Sequence, residues 1–360
     1  MPRSLTLRAG PKALALIRDR GLRLDDIDVL AGASGGAKWL VIAGLDRYLF
    51  GTFMQPEAFG QPPRTRPLHC IGSSIGSWRM ACLAQRDPVA ALARGHHAYI
   101  YDQRYSPKPR AREVTEVLLR CLDQLLGEHG VDEIMSHPFA RLHIITARGR
   151  GFAASDRRLV LATSLALAAA ANVVRRQSLG LHFHRTVFHS AGDTTPFAAL
   201  RDLPTTHRTL TRENLRDALI ASGSIPLLVE GVRIAGFPGE THWDGGVVDY
   251  HLDIDFGAGD GLVLYPHFYP YIVPGYFDKK LSWRRARATN FSRVLLISPS
   301  AEFVSSLPGG AIPQRQDFYA LSHAERERRW QSVLEASEQL GDELRELVET
   351  GRIAEHVQPW

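Results

Sequence analysis

Twice in this sequence a G-x-S-x-G turn follows an apolar run and leads into helical periodicity, as Gly32-Ala33-Ser34-Gly35-Gly36 and as Gly72-Ser73-Ser74-Ile75-Gly76. The runs Ile27 to Ala31 and Leu68 to Ile71 read as strands. The first turn enters a helix through Tyr48, the second a helix beginning near Ser77. A repeated strand-turn-helix unit points to an α/β protein. Helical periodicity recurs at Pro11 to Arg20, Glu113 to Leu126 and Glu213 to Ala221, while Arg141 to Ala147 is an apolar run suited to a buried parallel strand. Arg185 to Phe188, Gly261 to Leu264 and Arg293 to Ile297 read as short strands, and a Pro- and Gly-containing loop spans Gly51 to Pro67. The expected fold class is a three-layer α/β/α architecture with a mainly parallel central sheet.

A chain of 360 residues with 44% hydrophobic content can bury a sizeable core. We expect one catalytic domain over residues 1-312 and a C-terminal helical tail over 313-360, packed on the domain or extending from it. The tail is the charged, periodic stretch from His323 to Glu349, with a break expected near Gly341. Between Arg157-Arg158 and Arg175-Arg176, the segment Leu159 to Val174 carries no charge. It falls short of the roughly 20 apolar residues that cross a bilayer, which predicts a buried, Ala-rich helix rather than a membrane-inserted segment.

Cys70, Cys82 and Cys121 are too few and too scattered for a disulfide framework, and no Cys/His cluster has zinc-ligand spacing. With no secretory pattern in MPRSLTLRAG, a reducing, cytoplasmic location is expected, with no metal and no cofactor. The net charge of +5 and pI near 9.2 come from arginine spread along the chain. Without a zinc-finger or aromatic RNP signature they call for no nucleic acid. Oligomeric state is not encoded in any of these features.

The turns carry the chemistry. At a sharp strand-to-helix turn a serine hydroxyl is presented to solvent, flanking glycines let neighbouring backbone approach, and the helix N-terminus offers free N–H groups to developing negative charge. Either turn alone is also a common structural device. The first continues as Gly35-Gly36-Ala37-Lys38, small residues whose amides can point into a shared cavity. We therefore assign it to the oxyanion hole and the second turn, with Ser74, to the nucleophile, the amide of Ile75 being a further donor. A third element, Trp243-Asp244-Gly245-Gly246, follows the segment Ala221-Ser222-Gly223-Ser224-Ile225-Pro226, and its two glycines permit a tight turn that holds the carboxylate.

In this order, the Gly-rich turn from Gly35 to Lys38, G-S-S-I-G, S-G-S-I-P and D-G-G resemble the motifs of patatin-like phospholipases, over residues 27 to 250. The resemblance implies a Ser-Asp dyad without histidine: Ser74 as nucleophile, Asp244 as base, and Gly35, Gly36 and Ala37 as oxyanion-loop positions. Gly72, Gly76, Gly245, Gly246 and Lys38 support these motifs. Three positions depart from the family pattern: Ser34 stands for the leading oxyanion glycine, Trp39 for the glycine after the Lys-like position, and Tyr250-His251-Leu252 for Asn-x-Pro. The implied substrate is a lipid or other acyl ester.

Other readings stay open at this point. Ser74 and Asp244 could be completed by His323 or His356 as an α/β-hydrolase triad, or the fold could be a silent lipid-binding scaffold. A phosphate-binding P-loop is not expected, because Ala37 and Trp39 occupy its second glycine and its hydroxyl. His69, His242 and His251 read as packing or surface residues. Lys38 either lies near an anionic headgroup or the oxyanion, or faces solvent from a first helical turn. The aromatic and proline-rich stretch Tyr265 to Phe277, followed by Lys279, Lys280, Arg284, Arg285 and Arg287, reads as a rigid loop and a solvated basic helix. Contact with a membrane surface is its other reading.

Overall fold

Apolar, β-branched runs become the strands of one sheet. The computed structural model describes residues 3–55, 57, 62–190, 195–257 and 259–360; residues 56 and 58–61 of the expected Gly51 to Pro67 loop, and residues 1 and 2 of the expected domain, lie outside it. The strands are β1 (Leu5–Ala9), β2 (Ile27–Gly32), β3 (Leu68–Ser73), β4 (Ala140–Gly149), β5 (Phe183–Ser190), β6 (Thr205–Leu210), β7 (His242–Asp244), β8 (Leu262–Pro266), β9 (Val294–Pro299) and β10 (Val357–Pro359). Their order is β10-β1-β9-β8-β2-β3-β4-β5-β6, with β7 also paired to β4. The five central strands, β9 to β4 in that order, run parallel. β1 pairs antiparallel with β9, and β5 with β4. Flanked by helices, this is the expected three-layer α/β/α architecture with a mostly parallel central sheet.

The strands absent from the sequence reading sit at the margins or are very short. β1 alternates buried and half-buried residues, β6 is the polar run TTHRTL, and β7 and β10 have 3 residues each. None presents the long apolar run that marks a buried strand. β10 pairs in parallel with β1, so the end of the chain completes the sheet rather than trailing from it. The two helices before it, His323–Ala336 and Glu338–Glu349, are divided at Ser337 and not near Gly341. Gly341 instead lets two helices touch: a Cβ there would lie 2.4 Å from the Gly44 carbonyl oxygen.

Two further expectations are corrected. The Arg158–Val174 helix forms as predicted but is not buried; Leu159, Leu167, Val173 and Val174 are exposed, and the side packed on the protein carries Ser164 and Asn172. A segment without charge has no polar face from which its orientation could be read. The basic stretch after Tyr265 to Phe277 is a succession of turns, with no helix longer than Tyr276–Asp278 and Ala288–Phe291.

The two strand-turn-helix units are bound to each other twice over. A Cβ on Gly76 would meet the Gly32 oxygen at 2.0 Å, so the two turns cross in backbone contact that only glycine permits. Behind them Arg79, on the Ile75–Leu83 helix, donates from Nε to Asp46 Oδ2 at 2.7 Å and from Nη2 to Oδ1 at 2.6 Å. Asp46 belongs to the Ala43–Tyr48 helix, and both side chains are buried. Removing one member leaves the other charged in the core. Asp46→Ala is therefore expected to cost about 3–5 kcal/mol in urea unfolding, and Asp46→Leu/Arg79→Met to recover much of it. A single variant as stable as the wild type would contradict this account.

Candidate active site

β3 ends at Ser73, and the chain turns at Ser74 with φ 54° and ψ −131°, a conformation that costs energy in any residue but glycine. The turn aims the Ser74 hydroxyl off the sheet while its peptide group starts the Ile75–Leu83 helix. The strain is held by neighbours. Ser74 N–H donates to Ser222 Oγ at 2.8 Å, Ser222 Oγ donates to the Ile145 carbonyl at 2.7 Å, and Ser77 Oγ donates to the Ser74 carbonyl at 2.6 Å. A Cβ on Gly72 would lie 2.4 Å from Ser77 N, which fixes glycine before the turn.

The carboxylate joins the same edge of β4 just beyond the end of β3, the opposite edge being taken by β5. Asp244 closes β7 opposite Thr146, while Ser73 pairs with Ile145, so one strand sets both positions. Ser74 Oγ donates to Asp244 Oδ2 at 2.7 Å, and Asp244 Oδ1 accepts from Gly246 N at 2.6 Å. Gly245 and Gly246 are required by space: a Cβ on the first would meet the Ile145 oxygen at 2.2 Å, and on the second Ser34 Oγ at 2.6 Å. Both side chains of the pair are buried. Burial pushes the Asp244 pKa up to about 6; the Ser74 hydroxyl, the Gly246 amide and the charges of Lys279 and Arg315 oppose the rise.

The first G-x-S-x-G turn lies alongside. Ser34 makes no hydrogen bond to the carboxylate; its Oγ donates to Ser73 Oγ at 2.9 Å and its N–H to the Tyr250 carbonyl. It braces the serine next to Ser74. Gly36 has φ 55° and begins a 3-10 helix, Gly36–Ile42, and Gly35 is pressed against Phe268. The leading amides of that helix and of the one starting at Ile75 lack intrahelical acceptors, which leaves them open to an anion.

Lys38 faces inward. Its ammonium lies 5.8 Å from the Phe268 ring centre, and burial with Arg315 nearby pushes its pKa down to about 8. Lys279 holds its ammonium between the Tyr250 and Tyr276 rings, at 3.9 Å and 4.1 Å, and Arg315 donates to the Tyr276 hydroxyl at 3.3 Å. Enclosure, Lys38 and Arg315 lower the Lys279 pKa, while Asp244 raises it. No local pattern announced Arg315; Lys279 was read only as part of the basic stretch after Phe277, and Ser222 lay within the S-G-S-I-P segment but without an assigned part.

Among the described residues no histidine bonds Ser74 or Asp244. His242 Nδ1 shares a hydrogen with Thr146 Oγ1 at 2.9 Å, His251 Nδ1 accepts from Val273 N at 2.9 Å, and His69 Nδ1 meets His143 Nε2 at 3.0 Å near the start of β3. His323 is exposed at a helix start. His356 precedes β10, five strand spacings from β3, or about 24 Å.

The sequence model of the family described as patatin-like phospholipase matches residues 33–251. No curated protein and no solved structure matches the chain.

Ser222 supplies the one acceptor for the Ser74 amide seen here. Ser222→Ala is expected to cost about 1–3 kcal/mol of stability by orphaning that buried donor. Turnover should fall with little change in KM, and equal thermal midpoints for variant and wild type would count against it.

Proposed function

This chain belongs to the patatin-like phospholipase family, and from that premise we propose that it hydrolyses carboxylic esters of lipids through an acyl-Ser74 intermediate, with Asp244 as general base. The observation that carries the reading is the 2.7 Å hydrogen bond from Ser74 Oγ to Asp244 Oδ2. A serine hydroxyl is a weak nucleophile until a base takes its proton during attack. A carboxylate whose pKa is raised to about 6 is a better base than an exposed one, yet is still ionised at neutral pH.

As Ser74 Oγ attacks the ester carbonyl, its proton passes to Asp244 and negative charge develops on the carbonyl oxygen. The amides of Gly35, Gly36, Ala37 and Ile75 are the donors for that oxyanion. Collapse expels the alcohol, which takes the proton from Asp244 and leaves the acyl-enzyme. Water then attacks, with Asp244 as base again, and releases the fatty acid. The cations Lys38, Lys279 and Arg315 beside the pair favour a substrate whose leaving alcohol carries an anion, so a phospholipid or lysophospholipid fits better than an acylglycerol. A triad with His323 or His356 has no supporting contact among the described residues.

A fluorophosphonate probe tests the nucleophile: wild type and Ser34→Ala should be labelled, and Ser74→Ala should not. Labelling lost in Ser34→Ala but kept in Ser74→Ala would reverse the two turns. Asp244→Ala should lower kcat by orders of magnitude, whereas His323→Ala and His356→Ala should leave it near wild type.

The pH profile has a definite sign. Protonated Asp244 cannot accept the serine proton, so kcat/KM should rise with pH through about 6. Lys279 loses its charge above about 7 and Lys38 above about 8, so KM should climb across that range for a phospholipid and stay flat for an uncharged ester. A profile flat from pH 5 to 8 would refute the assigned base.

A further inference from the structure

The Arg158–Val174 helix is built inside out. At about 100° per residue, Leu159, Thr163, Ala166, Leu167, Ala170, Val173 and Val174 fall within an arc of about 120°, and all are exposed. Leu161, Ser164, Ala168 and Asn172, on the opposite side, are buried. Leu159 is 83% and Val174 86% exposed, values expected of charged residues. Phe152 and Leu181 sit in the 3-10 turns that pack against this helix at either end of the segment, and they too are exposed.

The unpaired charges around this face are cationic, the neighbouring Asp156 being matched by Arg233. From Arg157 to Arg185 there is no Asp or Glu. Arg157 and Arg158 at one end and Arg175 at the other are exposed and make no ion pair with an acid among the described residues. Arg284 donates to the carbonyls of Asn172 and Val173, which places Trp283, itself exposed, beside the last turn. An apolar stripe with arginines at its ends and a tryptophan at its margin matches an interface where acyl chains lie beneath anionic headgroups. A second copy of this chain matches it poorly, because the one acid at its margin, Asp156, is already paired with Arg233.

We propose that this helix lies flat on an anionic lipid bilayer, its outward face in the headgroup and upper acyl region. At 17 residues it is about 26 Å long, and no described helix is long and apolar enough to cross a membrane. Its C-terminal end is tied to the site: Asn172 Nδ2 donates to Asp278 Oδ1 at 2.7 Å, and the next residue is Lys279, held between Tyr250 and Tyr276. Docking therefore brings the cationic side of the Ser74–Asp244 site toward the headgroups. The inference goes beyond the proposed reaction, since binding needs no turnover.

The test is co-sedimentation of the full chain with vesicles of phosphatidylcholine plus phosphatidylglycerol, and of phosphatidylcholine alone. Wild type and Ser74→Ala are expected to bind the mixed vesicles alike. Leu159→Ser/Leu167→Ser/Val174→Ser should weaken that binding on the order of tenfold or more, with unchanged thermal midpoint and unchanged hydrolysis of a soluble short-chain ester. Replacing Arg157, Arg158 and Arg175 by glutamine should cost about fivefold per residue on mixed vesicles, and little on pure phosphatidylcholine. Three results would overturn the proposal: a wild type that stays in the supernatant, a triple serine variant that binds as well as wild type, or a wild-type dimer that the same variant converts to monomer.

Discussion

The arrangement depends on the register of β4. Along one edge its Ile145 lies opposite Ser73 of β3 and the next residue, Thr146, opposite Asp244 of β7, while β5 holds the other edge. The strand also lends the Ile145 carbonyl to Ser222, which holds the Ser74 amide. A slip of one residue in either pairing would turn the facing side chains to opposite sides of the sheet. The hydroxyl and carboxylate then could not meet. Glycine at 245 is the complement of this geometry, since the same carbonyl oxygen occupies the space of a Cβ there.

A second constraint keeps the chain after Asp244 in place. Asp249 accepts from Arg185 Nε and Nη2 and lies within 3.4 Å of Arg176, while Arg185 also reaches Asp202. These charges are buried and can remain so only because each is matched. They anchor the D-G-G turn to β5 and to the turn after the Arg158–Val174 helix, so the position of Asp244 is fixed by contacts remote from it in sequence. Tyr250, next in the chain, accepts from Ser34 N and forms one wall for Lys279. The departure from the family's Asn-x-Pro pattern thus lies where the two turns and the cationic side meet.

Burial divides the labour among the polar groups. Asp244 sits where desolvation makes it a stronger base, and the surrounding cations limit how far its pKa climbs. His96, His143, His251 and His267 are buried without an acid partner, and desolvation lowers their pKa values. They stay neutral as core residues. In the proposed reaction the proton transfers are thereby left to one hydroxyl and one carboxylate.

Much of this was legible in the residues themselves. Strand-turn-helix units, the order of the Gly-rich turns and the α/β class follow from local requirements: glycine where backbone must touch backbone, an apolar run where a strand is covered on both faces. Those requirements act within a few residues, so sequence carries them. The rest depends on which surfaces meet. Short or polar strands such as β6 and β7 gain their structure from neighbours, and Lys279 and Arg315 reach the site only because the chain folds back across it. The Leu159 to Val174 segment shows the division most clearly. Its composition determined a helix, but with no charge to mark an outer face, and with its few polar side chains, Thr163, Ser164 and Asn172, lying on both sides, the sequence did not say which side would pack. Only the fold, by giving Ser164 and Asn172 partners inside, turned the leucines and valines outward.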